Sequence, residues 1–372
     1  MKTFRCDKCD RPLFFENVHC LQCGSALAFL PDRLALCAIE PVPGQAPALW
    51  RRASRGDTAS VPQYRLCHNH TEHQACNFAV PAHDPNPLCV SCRQTHLLPD
   101  LSVPDNHKRW YRVELAKRRL FYTLAKLGLV NALPQGHQDG PRFQFLADLP
   151  GQQVMTGHCN GIITLNVVEA DDAERVKRRI EMHEPYRTLL GHLRHESGHY
   201  YWDRLIRDGG RTAAFREIFG DESVNYGEAL ARHYASGGMP DNWQERHVSA
   251  YATSHPWEDW AETWAHYLHM VDLLETAASF HARLELPGSD TFVDDPFDDE
   301  QRGFDQLVAQ WVPVTLLLNS LNRSLGQDDA YPFALTLGAL DKLRFVHEVI
   351  HSPPPFLPEA ACEAPASACA RA

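Results

Sequence analysis

The chain has 372 residues, 44% of them hydrophobic and 22% charged, and a formal net charge of −11. That composition is globular, and the acidic balance argues against a protein whose main role is to coat nucleic acid or an anionic membrane. No apolar run approaches the roughly 20 residues that span a bilayer, and no apolar segment precedes the first cysteines in MKTFRCDKCDRPLFF, so the expected location is cytoplasmic without a signal peptide.

Residues 1–100 read as a cysteine-rich module. Nine of the twelve cysteines (6, 9, 20, 23, 37, 67, 76, 89 and 92) fall there, and in a reducing compartment such a cluster indicates metal ligation rather than a disulfide framework. CDKCDRPLFFENVHCLQC has the form Cys-x2-Cys, ten residues, Cys-x2-Cys. Each pair makes a tight knuckle, and the two knuckles of Cys6, Cys9, Cys20 and Cys23 complete a closed tetrahedral zinc site. A second set is looser. Cys89 and Cys92 form a true knuckle, whereas Cys67 and Cys76 stand nine positions apart. These four read as a second structural zinc site; the alternative is reduced core thiols, with His68, His70 or His73 as spare ligands. Cys37 has no partner at a useful spacing and reads as packing. Between the two sets, EPVPGQAPALWRRASRGDTASVP reads as a loop or linker.

From about Asp105 the texture becomes helical. In DNHKRWYRVELAKRRLFYTLAKLGL, Trp110, Val113, Ala116, Leu120, Leu124 and Leu127 form one apolar stripe, and seven Lys or Arg with one Glu cover a face expected to be solvated. GIITLNVVEAD is a β-branched run, a strand over 161–168 whose edge could accept an extended peptide. DDAERVKRRIEM opens a helix with acids in its first turn. YRTLLGHLRHESGHYYWDRLIRDGG is one long helical segment closed by a glycine pair, and SHPWEDWAETWAHYLHMVDLLETAASF is another, with Ser254 as N-cap and Pro256 in the first turn. Two further helices are expected near 300–323 and 333–350. The tail, 353–372, is rich in Pro and Ala and reads as disordered.

The chemistry concentrates in LRHESGHYYW. His195, Glu196 and His199 fit His-Glu-x-x-His, and residues four apart share a helix face, so two imidazoles can grip one ion. With 21 His and 21 Glu in 372 residues, chance supplies about 0.07 such matches, so the motif alone is suggestive. A catalytic zinc needs a third protein ligand and an open position. WEDWAETWAHY offers Glu258 and Glu262 four apart, on a helix whose Trp257, Ala261, Trp264, Ala265 and Leu268 predict burial. Buried carboxylates call for a partner. One of the pair can bind metal while the other hydrogen-bonds a ligating imidazole from behind. Tyr251 could reach the site from the preceding loop and donate to an oxyanion. His266 and His269 continue the stripe of Glu262 and read as core or surface residues, or as proton shuttles.

These stretches, with TGHCNGIITLNVVEADD and EPYRTLLGHLRHESGHYYWD, resemble a bacterial family of zinc-binding metallopeptidases with an N-terminal zinc ribbon, over nearly the whole chain as far as about residue 355. Tyr251, Glu258 and Glu262 also match the Tyr-x6-Glu-x3-Glu arrangement of the lethal-factor type of gluzincin. That resemblance implies Glu258 as zinc ligand, Glu262 as its support and Tyr251 as a catalytic helper.

The expected fold is therefore α+β: a zinc ribbon at 1–100, then a mostly helical zincin-like domain with a short β-sheet at 105–352. The expected function is zinc-dependent hydrolysis of a peptide or protein substrate, with Glu196 as general base on water. One catalytic and one or two structural zinc ions are implied, together with a possible protein partner for the ribbon and no role for nucleic acid or membrane. The competing class is a zinc-ribbon protein- or nucleic-acid-binding protein whose zincin domain is inert.

Overall fold

In the computed structural model the described residues are 2–44, 48–53, 61–132, 140–181, 188–286, 289–298, 303–331 and 335–352. The tail 353–372, read above as disordered, lies outside them. The chain opens with a short hairpin, β1 (Phe4–Arg5) and β2 (Pro12–Leu13). A five-stranded antiparallel sheet follows in sequential order: β3 (Ala26–Leu30), β4 (Ala35–Pro41), β5 (Trp50–Arg52), β6 (Gln63–Leu66) and β7 (Ala79–Pro81), with a helical turn α1 (His68–Thr71) before the last strand. Period-two alternation sorts its side chains. Leu27, Phe29, Leu36, Ala38, Phe78 and Val80 enter the main core, whereas Ala28, Leu30, Cys37, Ile39, Tyr64 and Ala79 form a small core on the opposite face. The sheet curls until its ends meet, with Phe29 N–H donating to Asn77 O at 2.8 Å and the Phe29 and Phe78 rings stacked at 4.3 Å.

Strand β5 corrects the linker reading of residues 40–62. Its Trp-Arg-Arg sequence lacks an apolar alternation because its arginines pair with acids on neighbouring chain: Arg51 Nε donates to Glu40 at 2.8 Å and Arg52 Nε to Asp7 at 2.8 Å.

A second sheet has the order β10-β11-β9-β8. It comprises β8 (Thr95–Leu97), β9 (Arg142–Leu146), β10 (Gly157–Cys159) and β11 (Ile162–Asn166). The strand expected over 161–168 is β11, but it is not an edge: β9 pairs with it on one side and β10 on the other. The edge strand beside it is β10, joined to β11 by a tight hairpin in which Asn160 and Gly161 both take positive φ (48° and 77°). Strand β8 comes from the cysteine-rich end yet pairs with β9.

The described helices are α2 (Pro104–Lys126), α3 (Asp172–Glu181), α4 (Leu189–Tyr201), α5 (Thr212–Phe219), α6 (Tyr226–Ala235), α7 (Pro256–Ser279), α8 (Phe304–Ser324) and α9 (Leu337–His351), with a hairpin of β12 (Arg283–Leu286) and β13 (Ser289–Phe292) before α8. The architecture is α+β. Helix α4 runs on as a π-helical stretch, Trp202–Arg207. The N-cap of α7 is His255 rather than Ser254, its ring nitrogen accepting from Trp257 N–H at 3.1 Å.

The polar side of α2 departs from expectation. Glu114, Lys117 and Arg118 are fully buried, with Lys117 Nζ 2.8 Å from Ser91 O and Arg118 Nη1 2.6 Å from Ala75 O. The face read as solvated is the one on which the cysteine-rich region sits. Phe4, Phe15 and Phe29 pack around the Tyr122 ring at 5.8–6.4 Å, so one core runs from the first sheet through α2 into the α4–α7 layer. No helix among the described residues is long and apolar enough to cross a membrane.

Candidate functional site

Both cysteine sets converge. Cys6 and Cys23 Sγ lie 3.7 Å apart, and Cys9 and Cys20 3.6 Å. Cys76 Sγ lies 3.8 Å from Cys89 and 3.6 Å from Cys92. An ion about 2.3 Å from four sulfurs in a tetrahedron sets them about 3.8 Å apart, whereas a disulfide holds its sulfurs at about 2.05 Å. In the second set, backbone N–H groups of Phe78, Cys89 and Cys92 donate to the sulfurs of Cys76, Cys67 and Cys89 at 3.3–3.4 Å, and the buried guanidinium of Arg118 faces these thiols. Burial pushes the Cys89 thiol well up, so an empty site holds protons that a metal displaces. The donor sets fit zinc. The spare histidines stand aside: His70 Nδ1 lies 2.7 Å from Cys76 O, and His73 packs on Trp110. Cys37 sits in the small core, its thiol pushed up to about 11 by burial and by Asp7.

The third convergence lies between α4 and α7, which pack directly against each other. Gly198 makes it possible. A Cβ there would lie 2.9 Å from Ala261 Cα and 3.2 Å from Trp264 Cβ, so only glycine lets the helices approach so closely. Trp260 and Trp264 lock the contact, their indole N–H groups donating to Gly198 O at 2.9 Å and Ser197 Oγ at 3.1 Å.

Across this seam Glu258 Oε2 lies 3.0 Å from His195 Nε2 and 3.5 Å from His199 Nε2. All three residues offer a ligand atom within 4.8 Å of the others. Tetrahedral bonds of about 2.1 Å put donor atoms about 3.4 Å apart, so this set also fits zinc. Glu258 Oε2 is buried and faces these two imidazoles, while its other oxygen accepts from Tyr226 O–H at 2.8 Å. Behind the site, His195 Nδ1 lies 2.6 Å from Glu262 Oε1, and Glu262 Oε2 accepts from Ser249 Oγ at 2.6 Å. Trp257 covers His199 at a ring separation of 3.8 Å.

The electrostatics follow from this packing. Burial alone would lower the pKa of His195, but Glu258 and Glu262 raise it well above the ordinary histidine value. Burial would raise Glu258, and the two imidazoles hold it well below the carboxylate range. Without metal the cluster is an ion-paired network; a cation can take the place of its protons.

Glu196 is buried next to the ligand set. Burial works against its charge, but His192 keeps its pKa below the ordinary value, so it is ionised. Its Oε2 has no partner, while Oε1 lies 3.2 Å from His192 Nε2. Tyr251 lies with its ring 6.1 Å from that of His195; burial and Glu258 raise its pKa so far that it remains a phenol. His266 and His269 are elsewhere, against Tyr331 and Arg194 respectively.

Sequence reasoning missed Tyr226, which reaches the site from a helix with no metal-binding pattern, and His192, whose spacing four residues before Glu196 was a usable signal. It also missed the edge strand β10, marked by Asn160-Gly161.

Residues 106–349 match the family described as "Putative zinc-binding metallo-peptidase", and residues 3–103 match a zinc-ribbon domain. Proteins of Mycobacterium tuberculosis and Mycobacterium bovis, each described as an uncharacterized protein, are 43% identical over 352 residues, covering 94% of this chain and 95% of the relative. No solved structure matches the chain.

Proposed function

We propose that this chain, which belongs to the family of zinc-binding metallopeptidases and carries a zinc ribbon ahead of that domain, hydrolyses peptide bonds at the α4–α7 seam. The observation that carries the reading is the buried Glu258 Oε2 held between two imidazole nitrogens, together with Glu196, whose buried Oε2 has no hydrogen-bond partner, beside the same imidazoles. In this gluzincin-like reading His195, His199 and Glu258 hold the catalytic zinc. Glu262 fixes the tautomer of His195 through the Nδ1 contact. The ion supplies Lewis acidity to the scissile carbonyl and to the attacking water.

Glu196 accepts the proton of that water at Oε2 and returns it to the leaving amine. Tyr251, kept as a phenol, donates to the carbonyl oxygen as negative charge develops on it. The substrate strand adds to β10, a terminal strand of the second sheet among the described residues, which packs beside α4. Cys6, Cys9, Cys20 and Cys23, and separately Cys67, Cys76, Cys89 and Cys92, hold structural zinc.

The test is Glu196→Gln, which keeps shape and removes the base. It should retain the parent's zinc content and lose roughly 10²- to 10⁴-fold in kcat on a fluorogenic peptide mixture. His195→Ala should lose zinc from this site as well as activity. Full activity in Glu196→Gln would overturn the mechanism in favour of a binding protein.

A further inference from the structure

Helix α4 presents a third histidine one turn before the proposed base. His192 Nε2 lies 3.2 Å from Glu196 Oε1, and its Nδ1 lies 2.7 Å from Glu169 Oε2. Glu169, 1% exposed, stands in the turn that follows β11. Its other oxygen accepts from Thr156 Oγ1 at 2.6 Å, and Thr156 Oγ1 in turn accepts from Asn166 N–H at 3.1 Å. The chain of contacts therefore runs from the backbone of the second sheet through three side chains, Thr156, Glu169 and His192, to one oxygen of Glu196.

A ring whose two nitrogens both face carboxylate oxygens satisfies both only by donating to both. Two buried carboxylates and an imidazolium are a costly way to fill space, since apolar side chains of similar volume commonly serve stability as well or better. The arrangement instead constrains a particular atom. Glu196 has three rotatable bonds and sits directly after His195; unanchored, its carboxylate can swing onto the metal, because carboxylates are good zinc ligands. Anchored by Oε1, it keeps Oε2 free and fixed.

We propose that Glu169 and His192 are positioning residues that hold Glu196 as a base and keep it from becoming a fourth ligand. His192 transfers no proton in this scheme; the proton moves between water, Glu196 and the leaving amine. The inference rests on the peptidase reading above.

The test compares zinc-loaded parent, His192→Phe, His192→Gln and Glu169→Gln. Removing a group that orients a reacting side chain typically costs 10- to 100-fold. His192→Phe should lose about that factor in kcat, with KM within about twofold and zinc content unchanged. His192→Gln, whose amide can still donate to Oε1, should recover part of the loss. Adding His192→Phe to Glu196→Gln should cost nothing more, because both act through one carboxylate.

A second readout needs no turnover: the affinity of zinc-loaded protein for acetohydroxamate, whose acidic hydroxyl seeks a carboxylate acceptor. It should fall about tenfold in His192→Phe, in proportion to the loss of that acceptor. Unchanged kcat and unchanged hydroxamate affinity in His192→Phe would overturn the proposal, as would loss of zinc, which would make His192 a support of the metal site. If the parent binds hydroxamate but cleaves no peptide, the peptidase reading fails and the affinity arm alone decides the role of His192. If the parent does neither, both fall.

Discussion

The cysteine clusters and the histidine–glutamate cluster solve the same problem in opposite ways. In the cysteine-rich region two sets of four sulfurs converge, each within 4.8 Å, and in the second set backbone N–H groups donate to the sulfurs of Cys76, Cys67 and Cys89. Between α4 and α7 three donors converge among the described residues, and side chains support them: Glu262 behind His195, and Tyr226 on Glu258. A closed shell has no position for a reactant, whereas three donors beside an ionised glutamate leave one. The contrast teaches where each site's stability resides. Backbone turns fold with their metal, so the sulfur sites should be structural in the literal sense. The helical site is held by packing that exists without the ion.

Metal removal tests that contrast with the largest effect. Structural zinc in small modules is worth about 10–16 kcal/mol, comparable to the whole stability of a domain. Cys76→Ser, which removes a sulfur 3.8 Å from that of Cys89 and 3.6 Å from that of Cys92, should unfold the cysteine-rich region and lower the melting temperature of the entire chain. The loss propagates because Phe4, Phe15 and Phe29 share a core with Tyr122, and because β8 pairs with β9. His195→Ala should lose its zinc with a far smaller shift, read by metal analysis and thermal melting. If the two variants melt alike, the comparison is broken.

Gly198→Ala is the next step down. The added methyl meets Ala261 backbone at 2.9 Å, and overpacking of this kind costs about 1–3 kcal/mol. Separating α4 from α7 should also draw Glu258 away from the imidazoles. Zinc should therefore become easier to strip from the helical site by a chelator while the sulfur sites are unaffected. An unchanged chelator profile would show that the seam has slack.

What the sequence made legible follows the same division. The sulfur sites are local: the first set spans Cys6 to Cys23, and its spacing alone points to a tetrahedron. His195 and His199 are local too, and Glu258 and Glu262 stood out because two acids interrupted an apolar helix. The partners that arrive from a distance were not legible. Tyr226 lies 32 residues from Glu258 and Glu169 lies 23 from His192, and neither position carries a periodic signal. The face of α2 was misread for a related reason. Lys117 and Arg118 look solvated by composition, but they lie beneath buried cysteines and carbonyl groups, where their charge is satisfied. Strand β5 was hidden because its side chains form ion pairs in place of the alternating apolar residues that mark a strand.

The smallest predicted effect sharpens the comparison within α7 itself. One stretch of that helix carries Glu258 and Glu262, whose charges are held by histidines; one turn on, His266 is buried against Tyr331 with its pKa lowered to about 4 by burial, which outweighs the opposing pull of Glu262. In the unfolded chain it titrates near 6.5. As pH falls through 6.5 the unfolded state takes up the proton first, so stability is lost progressively down to about pH 4, where the folded state takes it up as well. Between pH 7 and pH 5.5 that difference amounts to about 1 kcal/mol. His266→Gln keeps a polar group for Tyr331 and removes the titration. Its stability relative to the parent should therefore improve by about that amount over the same interval, measured by urea unfolding at each pH. A constant gap between the two would mean that His266 titrates in the fold as it does in the unfolded chain. A parent that gains on the variant as pH falls would mean that His266 is already charged in the fold, and that the acid network of α7 extends a full turn beyond Glu262.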